Sequence, residues 1–225
     1  MQPFYTENEY VTYAKGNGIL CCHVDAVHAT PPRADLYTDQ IVTLLVAHTG
    51  CAGIVGTVSR RQADLNRDLS IANEDALQAY RFAIQDVLLH IGIIGDGEAL
   101  TTPYLHLAIH GMRDSHHGPD WIEIGTRCGH SCSPEVRDWF VRALIAKSRH
   151  ILPQVRIEVD SIFAGDTSIV SHRFGDGKDY RGYGMNFNTF QIELARTLRE
   201  NHRPQIVELL SLMIYDFQSV FVCPR

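Results

Sequence analysis

Two histidines stand where apolar runs give out. His23 follows Gly18–Cys22 (GILCC), and His110 follows Leu107–Ile109 and precedes Gly111. In an open α/β sheet, ligands collect beyond the carboxyl ends of strands, so two imidazoles at such ends are placed to share a metal. A hydrolytic zinc takes two histidines and one carboxylate and keeps a fourth position for water, whose pKa falls to about 7 on coordination. Asp25, close to His23, and Asp39, at the start of the following helix, are the carboxylates within reach. His28 and His106 are competing imidazoles. The pair His116-His117, beside Asp114 and Asp120, reads as a polar loop at the rim of a cleft.

The segment Val58–Asp68 (VSRRQADLNRD) adds a second chemistry. It sets Arg60, Arg61 and Arg67 with Asn66 among two carboxylates just after an expected strand. A planar guanidinium matches a carboxylate through two parallel bonds, and a neighbouring amide adds a donor, so this segment suits an acidic small molecule. Glu193 sits inside Phe190–Leu194 (FQIEL), between Ile192 and Leu194. A carboxylate buried there costs desolvation unless it has a partner or a task, and burial raises its pKa toward the range of a general base. Gln191 and Glu193 share one face of that strand. The six cysteines form no Cys-x-x-Cys pair, and Cys21 and Cys22 read as small buried apolar residues. Gly175–Gly182 (GDGKDYRG) and Gly92–Gly97 lack the spacing of phosphate-binding loops and read as turns.

The elements that must hold these residues follow from periodicity. Strands are expected at Gly18–Val24, Ala52–Val58, Tyr104–Ile109, Val155–Val159 and Phe190–Leu194. Helices are expected from about Asp39 with Thr38 as its N-cap, over Glu74–Ile91, from Ser133-Pro134-Glu135 to about Ile151, and over Pro204–Val220. Alternating strands and helices without a linker or repeat indicate one α/β domain over residues 1–225, a mostly parallel mixed sheet flanked by helices. Hydrophobic residues make up 45% of the 225-residue chain, enough for a sizeable core. A formal net charge of −6 and the lack of a Lys/Arg cluster argue against nucleic acid as a partner. No stretch approaches about 18 uninterrupted apolar residues, and the N-terminus has no basic-then-apolar leader, so a cytoplasmic protein without a membrane partner is expected.

Ser59–Arg67 (SRRQADLNR), His23 with the proline loop and Thr38-Asp39 after it, His110–Met112 (HGM) and Gln191–Arg196 (QIELAR) together resemble the N-formylglutamate amidohydrolase family. The match runs in order over roughly residues 18 to 200, and DLNR is its most specific piece. The resemblance implies a zinc carboxypeptidase-like fold and a metal-dependent amidohydrolase for a small acidic N-acyl amino acid. On it, His23, Asp39 and His110 would hold Zn²⁺ or another divalent ion. Asn66 and Arg67 would hold the substrate carboxylate, with Arg60 as an additional contact, and Glu193 would be the general base; Arg60 or a neighbouring cation would stabilise the developing oxyanion. Charge complementarity, apart from the resemblance, gives Asp64 the role of orienting Arg67. The family usually has Pro-His followed closely by Gly before its proline loop, whereas this chain reads CCHVDAVHATPP, so His28 competes with His23 for the first ligand position. The rival readings are a carboxypeptidase or γ-glutamyl peptide hydrolase on the same fold, and a non-catalytic ligand-binding protein.

Overall fold

Tyr104–Met112 is apolar except for His106 and His110, Phe187–Ala195 alternates apolar and polar residues from Phe190 to Leu194, and these segments become the two longest strands, β5 and β8. The computed structural model describes residues 5–223. Six further strands join them in one sheet: β1 (Thr6–Glu7), β2 (Val11–Ala14), β3 (Cys22–Ala26), β4 (Ala52–Gly56), β6 (Trp121–Gly125) and β7 (Arg156–Val159). The order is β1-β2-β4-β3-β5-β8-β6-β7. The central strands β4, β3, β5 and β8 run parallel, while β2 and β6 pair antiparallel to their inner neighbours. The result is the single-domain α/β architecture with a mixed, mostly parallel sheet that the periodicity indicated.

Helices α1 (Thr38–Thr49), α2 (Glu74–Ile91), α4 (Pro134–Ile151) and α7 (Arg203–Phe217) flank the sheet, with shorter helices α3 (Asp114–His117), α5 (Ser168–Phe174) and α6 (Arg196–Asn201) at its margins. Helix α2 keeps the expected bounds. Helix α4 also does, because Ser133 Oγ accepts the Val136 amide and Pro134 occupies the first turn, where its missing N–H has no cost. Thr38 does not cap α1 as expected. The preceding Tyr37 is left-handed, and the Thr38 hydroxyl donates instead to the Asp35 carbonyl at 2.7 Å.

The two sheet faces differ in kind. One carries Val24, Leu107, Ile109, Phe190, Ile192 and Leu194, and packs with α1, α4 and α7 into the larger core, where Phe140 stacks on Phe190 with ring centroids 3.9 Å apart. Helix α7 and its continuation to Val222 are long and apolar enough to cross a membrane by length and composition. Its Ile206, Leu209, Leu210, Met213 and Ile214 stripe is nevertheless buried against this core, as a core helix requires. The opposite face places His23 beside His106, Asp25 beside Ala108, and His110 beside Glu193. Helix α2 covers part of it with Tyr80, Ala83, Ile84 and Val87.

Arg199 of α6 ties the strand ends together. Its guanidinium donates to the carbonyls of Leu194 and Met112 at 3.1 Å each and to that of Leu36. Gly111 leaves the room, because a Cβ there would meet the guanidinium. Replacing Arg199 with Met orphans three carbonyls, each worth roughly 1–3 kcal/mol when buried, with water relieving some of that loss. The expected destabilisation is about 2–4 kcal/mol, read from the urea midpoint; an unchanged midpoint contradicts the stapling role.

Candidate functional site

Beyond the end of β3 the chain makes a tight excursion. The Asp35 amide donates to the His28 carbonyl at 2.8 Å, closing a loop that brings the Asp35 carboxylate back against the imidazole. Ser59 Oγ donates to the Pro32 carbonyl at 2.6 Å and Thr30 Oγ1 to that of Gly56 at 2.8 Å, which ties this loop to the end of β4. Gly56 is needed at that crossing, since a Cβ would stand 2.5 Å from the Val27 carbonyl oxygen. The loop therefore delivers two candidate ligands from eight residues of irregular chain.

His28, Asp35 and His110 offer three ligand atoms that lie within 4.8 Å of one another. His110 Nδ1 is 3.3 Å from Asp35 Oδ2, and His28 Nδ1 is 3.7 Å from the same oxygen. The remaining nitrogen of His28 faces Asp64 Oδ1 at 2.6 Å, the carboxylate–histidine arrangement that fixes tautomer and ring orientation at metal sites. His28 Nδ1 is buried with no hydrogen-bond partner. A buried acceptor left in that state is satisfied if a cation occupies the space between the rings.

His23, by contrast, sits in a second cluster with Asp25 and His106, deep under α2. The expectation that His23 ends its strand fails because β3 begins only at Cys22 and continues through Ala26. His23 is thus one residue from the start of the strand, with no exposure, and His28, two residues past the strand's end, reaches the open site. Ring geometry separates the two clusters further. A metal bound to imidazole lies near the ring plane, along the nitrogen lone pair. His28 and His110 have planes at 72°, which intersect. His23 and His106 stack at 4.1 Å and 11°, so an ion about 2.0–2.1 Å from a nitrogen of each would lie well out of both planes.

The expected acid, Asp39, is also elsewhere. It lies in the first turn of α1, apart from the cleft, whereas Asp35, four residues earlier, faces the histidines. Desolvation opposes ionisation of Asp35, but hydrogen bonds with His110 and His28 and the charge of Arg60 outweigh it and hold its pKa well below the usual carboxylate range. Burial likewise opposes charging of His110, yet the Asp35 hydrogen bond and the Glu193 carboxylate raise its pKa.

The remaining expected residues converge on the same cleft, a hollow of about 1100 Å³. Glu193 is 6% exposed; burial first, then the charge of Asp35, raises its pKa. Gln191 Nε2 donates to Glu193 Oε1 at 3.1 Å, so the shared face of these two residues points into the cleft. Arg60 Nη2 stands 2.8 Å from Asp35 Oδ1, while its Nε and Nη2 are buried without an aligned hydrogen bond. Asn66 is held by Ser168 Oγ at 2.9 Å and donates to Gln191 Oε1 at 3.2 Å. Arg67 pairs with Asp166 at 3.1 Å, and Asp64 orients His28, which corrects the expectation that Asp64 serves Arg67.

The chain has the fold of N-formylglutamate amidohydrolase. The solved structure of that enzyme from Ralstonia eutropha JMP134 aligns over 93% of this chain and 98% of its own, at 16% identity and a TM-score of 0.62. A gene product of Agrobacterium tumefaciens aligns over 95% and 97%, at 15% identity and a TM-score of 0.57. A bacteriophage poly-gamma-glutamate hydrolase aligns over 96% and 93%, at 13% identity and a TM-score of 0.51. No protein-family model and no curated relative matches the sequence.

Sequence reasoning missed Asp35, because only loop closure shows which carboxylate meets the histidines. It also missed Glu123, which is fully buried, pairs with His117 at 2.7 Å and accepts the amides of Ser161 and Phe163. Glu123 thereby holds the 161–166 segment that forms one wall of the cleft. Of the pair at the rim, His116 lines the cleft and His117 serves this anchor.

The deep cluster has a different consequence. Asp25 accepts from Tyr80, contacts His106 Nε2 at 2.8 Å, and is held ionised by that pairing against the cost of burial. His23 and His172 are neutral there: burial, reinforced by the charge of His106, lowers both pKa values, that of His172 to about 3. A histidine with a depressed folded pKa leaves the unfolded chain binding the extra proton, so stability is complete above about pH 6.5 and declines as pH falls toward 3. At pH 5 the loss from His172 is about 2 kcal/mol, 1.5 pH units at about 1.36 each. Melting temperature should therefore fall between pH 7 and 5, with a shallower slope in His172→Gln; parallel slopes would refute the neutral assignment.

Proposed function

We propose that this protein is a metal-dependent amidohydrolase that cleaves the amide of a small acidic N-acyl amino acid resembling N-formylglutamate. The observation that carries the reading is the convergence of His28 Nδ1, Asp35 and His110 Nδ1 on one cleft wall, with Glu193 and a group of arginines beside them. These three residues replace the His23, Asp39 and His110 set that the resemblance implied. Two imidazoles and a carboxylate are the donor set of a hydrolytic zinc site. A divalent ion held there, zinc by this donor chemistry, would supply Lewis acidity toward an amide carbonyl and a water molecule.

The chain's own groups supply the rest. Asp64 fixes the His28 ring through Nε2, leaving Nδ1 free to ligate. Glu193, with its raised pKa, takes a proton from the attacking water and returns it to the departing nitrogen. Arg60, held at Asp35 through Nη2, would present its guanidinium charge to the oxygen that gains negative charge. Arg67 and Asn66 receive the substrate carboxylate, with Arg67 exchanging its half-exposed Asp166 partner for the ligand. Binding at that point orients the scissile bond toward Glu193.

The same groups would serve a γ-glutamyl peptide bond, a second reading favoured by a cleft larger than one amino acid fills. A panel of N-formyl, N-acyl and γ-glutamyl substrates separates the two readings.

Glu193→Gln should keep stoichiometric metal while hydrolysis falls by about 10²–10⁴, the usual share of a general base; full activity would eliminate that assignment. Metal analysis of purified variants tests the ligands independently. Loss of bound metal is expected in His28→Ala and His110→Ala and retention in His23→Gln, and the reverse pattern would restore His23 as the ligand. Arg67→Ala should raise KM for acidic substrates much more than for neutral ones, and an equal rise for both would remove its carboxylate role.

A further inference from the structure

Eight arginines and no lysine line the cleft of this acidic protein. Four of them are accounted for: Arg60 faces Asp35, Arg67 pairs with Asp166, Arg196 pairs with Glu200, and Arg199 donates to backbone carbonyls. The other four, Arg33, Arg61, Arg113 and Arg127, have no carboxylate within ion-pair distance among the described residues. One substrate carboxylate at Arg67 and Asn66 does not occupy them. The hollow itself exceeds the roughly 300–1,000 Å³ of an ordinary small-molecule site.

Two of the four are held in a conformation that arginine rarely adopts. Arg33 has φ 66° and Arg127 φ 52°, both left-handed. Arg127 and Cys128 (φ 55°) are the central residues of a turn closed by the Gly129 amide on the Thr126 carbonyl at 3.0 Å. Turns with positive φ at both central positions prefer Asn-Gly or Asp-Gly, which this chain does not use here. The turn is locked from outside: the Thr126 amide and hydroxyl both donate to Asp160 at 2.6 Å, and Arg137 donates to the same carboxylate at 3.1 Å. The Arg33 loop is locked by Ser59 on Pro32 and by the Asp35 amide on His28. Backbone strain at exposed, partnerless arginines on rigid loops concentrates where a side chain must be aimed at a ligand. Arg127 also borders a second hollow of about 510 Å³, whose lining carries His130 and Lys178 together with Asp68 and Asp176.

We propose that Arg33 and Arg127 form an outer anion subsite, and that the physiological substrate is an oligomeric acidic amide carrying carboxylates beyond the residue held at Asn66 and Arg67. The proposal rests on the amidohydrolase reading of the inner site and extends it to a substrate class. Each outer arginine would take one carboxylate through its planar fork.

Calorimetric titration of the metal-loaded Glu193→Gln protein with N-formylated glutamate monomer, dimer and tetramer, in α- and γ-linkage, tests the subsite without turnover. The tetramer of one linkage should bind about tenfold or more tightly than the monomer, the increment expected for added charge-assisted contacts. Adding Arg33→Asn and Arg127→Asn should bring that ratio to within about twofold, because asparagine accepts the left-handed backbone but lacks the guanidinium. Lysine at both positions should restore part of the ratio. Length-independent affinity in both linkages, or a tetramer-to-monomer ratio that survives the double substitution, overturns the outer subsite. Hydrolysis of the monomers and oligomers by the unsubstituted protein is scored separately: no cleavage of any of them strikes the reading of the inner site, while the length dependence of binding still judges Arg33 and Arg127.

Discussion

The closure of the His28–Asp35 loop by one backbone hydrogen bond is the constraint on which the site depends. It places a carboxylate between two imidazoles that come from different strands, one beyond β3 and one on β5. Every other contact around it reads as a consequence. Asp64 reaches His28 from the far side, Arg60 neutralises the second oxygen of Asp35, and Arg199 binds the Leu36 carbonyl next to it. An ionised Asp35 in so dry a position would be expensive if unpaired, and its two histidines and one arginine offset that cost. Charge balance and geometry are therefore the same design feature in this protein.

The polar face of the sheet carries two histidine–carboxylate clusters of nearly the same composition, and packing gives them different roles. In the deep one, α2 closes over His23, Asp25 and His106, and Tyr80 and Tyr104 supply hydroxyls to complete the network. Its members pair with one another, although His23 Nε2 and Asp25 Oδ1 stay without a partner, and its imidazoles stack face to face. In the outer one, no helix covers the space, and a general-base candidate stands beside it on β8. Composition alone assigns the same chemistry to both. Openness to the cleft and the angle between ring planes distinguish a network that sets stability from one that can hold a reacting molecule.

This explains which parts of the site were legible in the chain. His110, Glu193, Asn66, Arg67 and Arg60 are found at the cleft because each is tied to a local signal: a strand's alternation, or a turn directly after a strand. The boundaries of α2 and α4 were legible for the same reason, through amphipathic spacing and a serine–proline start. His23 misled because Gly18–Cys22 is apolar without being a strand: only from Cys22 does the chain pair with β5. Asp39 misled because proximity along a helix start says nothing about how a proline loop folds back. Strand β6 and helix α5 escaped notice as well, since Trp121–Gly125 and Ser168–Phe174 are short and gain their order from Glu123, Asp160 and Arg173 contacts elsewhere in the fold.

A net charge of −6 acquires meaning once its distribution is known. An acidic surface repels an acidic substrate at long range, and such a substrate approaches productively only where local cationic density exceeds the background. This chain meets that condition with arginines alone, several of them engaged by Asp35, Asp166 and Glu200. Those internal pairs keep the inner arginines ordered and limit self-repulsion in the free protein, at the expense of competition with the ligand. A ligand carboxylate can displace an exposed pair such as Arg67–Asp166 with little loss, because a solvent-exposed ion pair contributes only about 0–1 kcal/mol. It does not displace Arg60 from the buried Asp35 so cheaply. Arg60 thus stays fixed beside the candidate metal ligands while Arg67 is free to exchange, and under the proposed function the difference in burial between two otherwise similar ion pairs would divide catalysis from recognition.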